Sequence, residues 1–218
     1  MGPIKTAISA RAASLVPLLV QGASSAPLAR AIRVASVVLV TALTAAAAQI
    51  SFPLPLTPIP FTLQPMIVLL GGAALGGRLG CYSQVLYLAA GIAGLPVFAA
   101  SPILPQGALR LLGPSGGYLL SYPLAAWAVG SLADRGFDRK YLRSVVAMLA
   151  GLAIVYTFGV SWLAFVARIP QALGVREALL AGAGPFLVAD VLKIFLAAGL
   201  LPGAWKLVGR GERHDRRV

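Results

Sequence analysis

Between Arg33 and Arg78 the chain carries no charged residue, yet Pro53, Pro55, Pro58, Pro60 and Pro65 interrupt the apolar run and forbid one continuous helix. The pattern predicts two membrane spans, residues 31–52 and 62–77, joined by a proline-rich, uncharged loop. A third follows at 79–98, with Gly76-Gly77-Arg78 as the only turn available before it. Pro96, Pro102 and Pro105, then Gly113-Pro114-Ser115-Gly116-Gly117, mark a long loop ahead of a fourth span at 116–133. After the charged stretch 134–143 come a fifth span, 144–167, and a loop holding Arg168, Pro170, Arg176 and Glu177. The sixth, 185–208, has Pro185 where a first-turn proline is tolerated.

Composition decides the solvent. Of 218 residues 59% are hydrophobic and 11% charged, with mean hydropathy +0.88, against about 45–50% and about 25% in soluble domains. The expected fold is an all-α integral membrane protein with six transmembrane helices. It forms one domain, residues 31–208, between an N-terminal tail of residues 1–30 and a basic tail of residues 209–218. At about 20 residues per span no room is left for an ATPase, nucleic-acid or catalytic domain. The net charge of +12 reads as topology rather than as a nucleic-acid surface. Fourteen of the eighteen Lys and Arg fall on one side: Lys5, Arg11, Arg30 and Arg33, then Arg78, then the loop from Arg135 to Arg143, then the C-terminal end. Only Arg110, Arg168 and Arg176 fall on the other, so both termini are expected to be cytoplasmic. Lys5, Arg11, the apolar stretch 15–20 and the small residues 22–26 imitate a signal peptide, but six apolar residues containing Pro17 make too short a core. A cytoplasmic or interfacial tail is expected instead.

The single cysteine, Cys81, excludes a disulfide framework, and the single histidine, His214, lies in the basic tail. Of the six acidic residues only Asp190 is embedded, and Lys193 follows it at i, i+3 on the same helix face. Each such charge costs roughly 2.5–3.5 kcal/mol at a helix centre. The pair either neutralises itself while pinning the sixth helix to a neighbour, or hydrogen-bonds a polar ligand in a cavity. At ~1.5 Å per residue from Pro185 both lie in the outer half of the membrane. Gln49, Gln64, Arg110 and the pair Gly116-Gly117 gather on the same outer side, which predicts an outward-facing site. Gln84, nearer the cytoplasmic end, fits a helix–helix hydrogen bond, and Tyr87 fits packing or a pocket wall equally well. Gly113-Pro114-Ser115-Gly116 resembles the serine loop of rhomboid-type intramembrane proteases, but no span contains a histidine to act as base. Gly72, Gly76 and Gly80, and separately Ala42 and Ala46, form small-residue stripes suited to close helix approach. No lysine follows a glycine, so no nucleotide-binding loop of the Walker type exists.

Four motifs together resemble the BioY family, the biotin-specific substrate-binding (S) components of bacterial energy-coupling factor (ECF) transporters. They are Pro60-Phe61-Thr62-Leu63-Gln64, Gly91 through Phe98, Leu112-Gly113-Pro114-Ser115-Gly116-Gly117-Tyr118, and Pro185-Phe186-Leu187-Val188-Ala189-Asp190-Val191-Leu192-Lys193. The chain departs from the family where Val188-Ala189 precedes Asp190 in place of Pro-Gly, and where residues 101–107 replace a glycine run. The resemblance implies a six-helix S-component of the bacterial inner membrane that captures biotin from outside, with no cofactor and no catalytic activity. Its partners would be a transmembrane coupling protein and ATPase subunits, or further copies of itself. In that frame Asp190 accepts the ureido N–H groups, Lys193 donates to the ureido carbonyl, Gln64 adds a polar contact, and Tyr87 and Phe61 flank the ring. Arg110 and the amides of Gly116 and Gly117 are the candidates for the carboxylate, and Ala42 and Ala46 for the coupling-protein contact. The alternatives are an S-component for a different vitamin and an intramembrane hydrolase.

Overall fold

The computed structural model describes residues 14–55, 57–101, 104–167 and 174–215, those beyond Trp205 by backbone alone. The expected tail residues Lys5 and Arg11, loop residues Pro102, Arg168 and Pro170, and the terminal Arg216 and Arg217 lie outside the described residues, as do the side chains of Lys206, Arg210 and Arg213. Among the described residues the order is α1 (Leu15–Gln21), α2 (Ala26–Gln49), a hairpin of β1 (Ser51–Phe52) and β2 (Phe61–Thr62), α3 (Gln64–Leu75), α4 (Gly77–Ile92), a 3₁₀ turn (Ala108–Leu112), α5 (Gly116–Asp134), a 3₁₀ turn (Phe137–Arg139), α6 (Tyr141–Phe165), α7 (Val175–Gly182) and α8 (Gly184–Asp215).

Local chemistry sets the boundaries. Ser25 starts α2 by accepting the Leu28 amide on its side chain, with Pro27 in the first turn. Beyond Gln49 the prolines hold the chain extended, and it returns through a short antiparallel pairing of Ser51 with Thr62 and Phe52 with Phe61. Between α3 and α4 a single residue, Gly76, makes the turn at φ 82°, where a side chain is strained. Asp134, at the end of α5, caps the turn by accepting the Gly77 amide at 3.0 Å.

The small residues of α3 and α4 let backbones touch. A Cβ on Gly72 would lie 2.6 Å from the Ala126 carbonyl oxygen of α5, and one on Gly130 would lie 2.5 Å from the Gly76 carbonyl carbon. Helix α5 is therefore the central one, packed against α3, α4 and α6. Val68, Leu69, Ala125, Ala126, Val129 and Val155 are buried along its contacts. The outward faces are apolar as well: Leu142, Val146, Val188, Leu192 and Leu196 are all exposed. In water that surface would drive association; in hydrocarbon it is matched to its solvent. Among the described residues three helices, Ala26–Gln49, Tyr141–Phe165 and Gly184–Trp205, are long and apolar enough to cross a membrane, and Gln64–Leu75 is a shorter apolar helix.

The structure moves several expected boundaries: α2 begins at Ala26, inside the expected tail, and ends at Gln49 rather than at 52. The third helix ends at Ile92 rather than at 98, because Gly94 turns at φ 92° and the following segment folds back. Phe98 then packs onto α4 so closely that a Cβ on Gly91 would lie 2.0 Å from its ring. Two short helices, α1 and α7, occupy segments expected to be tail and loop. Helix α8 runs on past 208 through Asp215, with Pro202 inside it.

Candidate ligand-binding cavity

A cavity of about 470 Å³ opens where the hairpin segment 51–62 and the loop 98–115 meet α3, α5, α6 and α8. That size falls within the usual range for small-molecule sites. Its walls are largely apolar, with Leu54, Ile59, Phe61, Phe98, Leu119 and Phe186 among them, and Phe61 stacks on Phe186 with ring centroids 6.3 Å apart.

The charged pair sits at its edge. Lys193 Nζ lies 2.8 Å from Asp190 Oδ1, as the i, i+3 spacing requires. It also donates to the Thr62 carbonyl oxygen at 2.8 Å and stands 3.6 Å above the centre of the Phe61 ring. The ammonium thus joins the last helix to strand β2. Asp190 and Phe61 line the cavity, and Lys193 stands directly behind them. The second carboxylate oxygen, Oδ2, accepts from the Tyr156 hydroxyl of α6 at 2.7 Å. Tyr156 lines the cavity too. No spacing pattern marks it, since 34 residues separate it from Asp190, and Thr157 and Ser161 place other hydroxyls in the same helix.

Gln64 opens α3 and lines the cavity, with Nε2 donating to the Tyr87 hydroxyl at 2.6 Å. Tyr87 in turn donates to the Val97 carbonyl at 3.2 Å. Tyr87 is fully buried, edge-on to Phe98, and does not line the cavity. It ties Gln64 to the returning loop. Arg110 lines the cavity from the 3₁₀ turn while donating to the Leu104 carbonyl at 2.7 Å and to the Ala99 carbonyl. Burial draws its guanidinium below the ordinary value.

Gly116 and Gly117 are turned away from the cavity, which Gly113, Pro114 and Ser115 line in their place. A Cβ on Gly116 would lie 1.8 Å from the Leu111 carbonyl oxygen, and one on Gly117 2.2 Å from Trp162 Cβ. Their glycines serve close packing of α5 on its neighbours, and the Gly116 amide already donates to the Gly113 carbonyl at 3.0 Å. Gln49 is likewise spent, on the Ala45 and Pro96 carbonyls, and does not line the cavity. Gln84 ties α4 to α2 through Thr44, a helix–helix bond. Ala42 and Ala46 are exposed on the surface of α2, away from the cavity.

Chemically, the cavity offers a fixed carboxylate acceptor, a guanidinium and aromatic walls. Among the described residues no cluster of three or more His, Cys, Asp or Glu could hold a metal. Ser115 lines the cavity, and the embedded Lys193 donates to Asp190 and Thr62 rather than to a serine.

The chain is similar to known proteins. Residues 19–210 match the BioY family. A probable biotin transporter BioY of Pyrococcus horikoshii is 38% identical over 164 residues, covering 75% of this chain and 90% of that one. The biotin transporter BioY of Thermotoga maritima is 37% identical over 158 residues, covering 72% of this chain and 86% of that one. The crystal structure of the S-component for biotin from an ECF-type ABC transporter aligns with a TM-score of 0.72 at 24% identity, covering 84% of this chain and 95% of that one. The two chains have one fold.

Proposed function

The chain belongs to the BioY family, and on that premise we propose that it captures biotin as the membrane-embedded binding component of an uptake system. The observation that carries this reading is the Asp190 carboxylate, held at the edge of a mostly apolar cavity by Lys193 and Tyr156. Biotin carries a neutral cyclic urea with two N–H donors, fused to an apolar ring, and a side chain ending in a carboxylate. Asp190 accepts the ureido N–H groups. Gln64, with Nε2 committed to Tyr87, offers its carbonyl oxygen, and Phe61 and Phe186 flank the ring. Arg110 faces the valerate carboxylate, its remaining guanidinium donors suited to an anion.

The six-span topology belongs to the same reading. Helices α3 and α4, of 12 and 16 residues, are ~18 Å and ~24 Å long at 1.5 Å per residue. Each falls short of a ~30 Å core, and the hairpin and the folded-back loop fill the outer end above them. The basic residues put both termini in the cytoplasm of a bacterial inner membrane and open the cavity outward. The hairpin segment 51–62 serves as a lid. Ala42 and Ala46, exposed on α2, meet a coupling protein that works with ATPase subunits. Reporter fusions at the two termini test the orientation, and a terminus found outside would reject it.

The test of the function is direct. The protein purified in detergent is analysed by mass spectrometry for bound small molecules, then titrated with biotin after release. Biotin is expected to co-purify and to rebind; recovery of a different vitamin, with no biotin binding, would assign the cavity elsewhere.

A further inference from the structure

The geometry points to Tyr156 as the positioning residue that orients Asp190 and so sets which ligands the cavity takes. The inference rests on the biotin reading and adds to it a residue and a rule of selection.

Asp190 is 6% exposed, and its carboxylate is held from two sides. Lys193 reaches Oδ1 from the same helix, less than one turn away, and Tyr156 reaches Oδ2 from α6. A carboxylate torsion is soft and nearly two-fold, so a single partner on its own helix leaves it free to swing. The second anchor, on another helix, stops that rotation. Tyr156 is itself fixed. Its ring stands edge-on to Tyr118 with centroids 6.3 Å apart, and the Tyr118 hydroxyl donates to the Gly182 carbonyl at 2.9 Å.

The anchoring also settles the sign of the polar edge. A carboxylate has about four acceptor sites; one on each oxygen is used, so one on each remains. The phenol spends its only proton on Oδ2, which leaves its oxygen able only to accept. Lys193 is turned to Asp190, Thr62 and the Phe61 ring, outside the cavity lining. The edge formed by Asp190 and Tyr156 is therefore made of acceptors alone. It takes a ligand edge carrying N–H donors and opposes one that presents an oxygen lone pair or an alkylated nitrogen there, because a buried acceptor left unmade is costly.

The test compares biotin with its two ureido N-methyl derivatives in wild-type protein and in Tyr156→Phe. The wild type is expected to discriminate against at least one derivative. In Tyr156→Phe, biotin affinity falls roughly ten- to hundredfold, while the affinity for that derivative changes less than about twofold, so the discrimination ratio collapses. Equal loss for both ligands, or no loss for either, would overturn the inference. A second readout needs no ligand. The carboxylate stretch of Asp190, isolated as the infrared difference from Asp190→Asn, is expected to shift in Tyr156→Phe, and an unmoved band would also overturn it. Wild-type protein that fails to bind biotin would instead overturn the proposed function, and that result is separate from either Tyr156 outcome.

Discussion

Replacing Lys193 by Met keeps an unbranched side chain one atom shorter and removes its charge. Three contacts go with it: the 2.8 Å ion pair to Asp190, the 2.8 Å bond to the Thr62 carbonyl, and the ammonium 3.6 Å over Phe61. The two side chains are 12% and 8% exposed, so the pair counts as buried, and breaking such a pair from one side costs about 3–5 kcal/mol. At about 2–4 °C per kcal/mol for a chain of this length, Lys193→Met is expected to melt about 6–20 °C lower. The double variant Asp190→Leu/Lys193→Met removes both charges. Swapping a buried pair for apolar side chains is neutral or stabilising by about 1–4 kcal/mol. Against that stands about 1–3 kcal/mol for the Tyr156 hydroxyl left without its acceptor.

The double variant should therefore melt near the wild type while the single one does not. Biotin binding must behave differently, because the double variant has no carboxylate to accept the ureido N–H groups. Thermal unfolding followed by circular dichroism, with calorimetric titration of biotin on the same samples, separates the two roles. A double variant that both folds and binds biotin as well as the wild type would show that the pair only pins α8 to its neighbours, and would refute the argument for the site.

Four shorter predictions follow from other parts of the molecule. Asp138 is buried in the turn before α6, accepts the Trp205 indole N–H at 2.6 Å, and has its Oδ1 without a partner among the described residues. Burial pushes its carboxyl above the usual range, with the Trp205 bond and the Arg139 charge opposing. The folded state then holds the proton more tightly than the unfolded chain, so the ionised form costs stability at neutral pH and that cost disappears as pH falls through the raised value toward about 3.9. Melting curves between pH 7 and pH 4 should show the wild type gaining on Asp138→Asn as pH drops; a constant gap would reject the shift. Gly72→Ala places a methyl 2.6 Å from the Ala126 carbonyl oxygen, a backbone atom that cannot turn aside, and should destabilise the fold by about 1–3 kcal/mol in thermal unfolding. Ala46→Trp, on the exposed face of α2, should abolish energised uptake in cells and leave biotin affinity unchanged. A bifunctional thiol cross-linker between Thr57→Cys and Ser101→Cys, which line the cavity from its two loops, should slow biotin exchange severalfold; unchanged exchange would dismiss the lid.

The sequence made some of this legible because certain local rules leave no choice. Prolines in an uncharged apolar stretch must divide it, and the division falls at the hairpin between α2 and α3, with Pro65 in the first turn of α3. Gly76-Gly77 must turn, and the turn sits there, with Gly76 at φ 82°. The end of α4 was not legible, because the segment after Ile92 folds back through contacts between Phe98, Gly91 and Tyr87 that no periodicity encodes. Helices α1 and α7, of 7 and 8 residues, are too short to impose a helical period of their own. Gly116 and Gly117 illustrate an ambiguity of another kind. Glycines at a helix start suit an anion, but the same residues also let a tryptophan and a carbonyl approach the backbone, and only the packing decides between the two uses.

The site divides along the same line. Asp190 and Lys193 could be paired from their spacing because both lie on one helix, whereas Tyr156 and Thr62 reach them from elements 34 and 131 residues away. Those distant partners are what change the meaning of the pair. An Asp–Lys pair alone would satisfy itself and need nothing else. Here Oδ1 and Oδ2 are each held by one donor and the ammonium is turned toward strand β2, so the carboxylate faces the cavity with acceptor capacity to spare. A buried acceptor with unused sites is unfavourable in an empty apolar pocket and favourable once a donor enters. On the proposed reading the cost of placing charge in the membrane is recovered on ligand binding, with Asp190 lining the cavity and Lys193 held behind it.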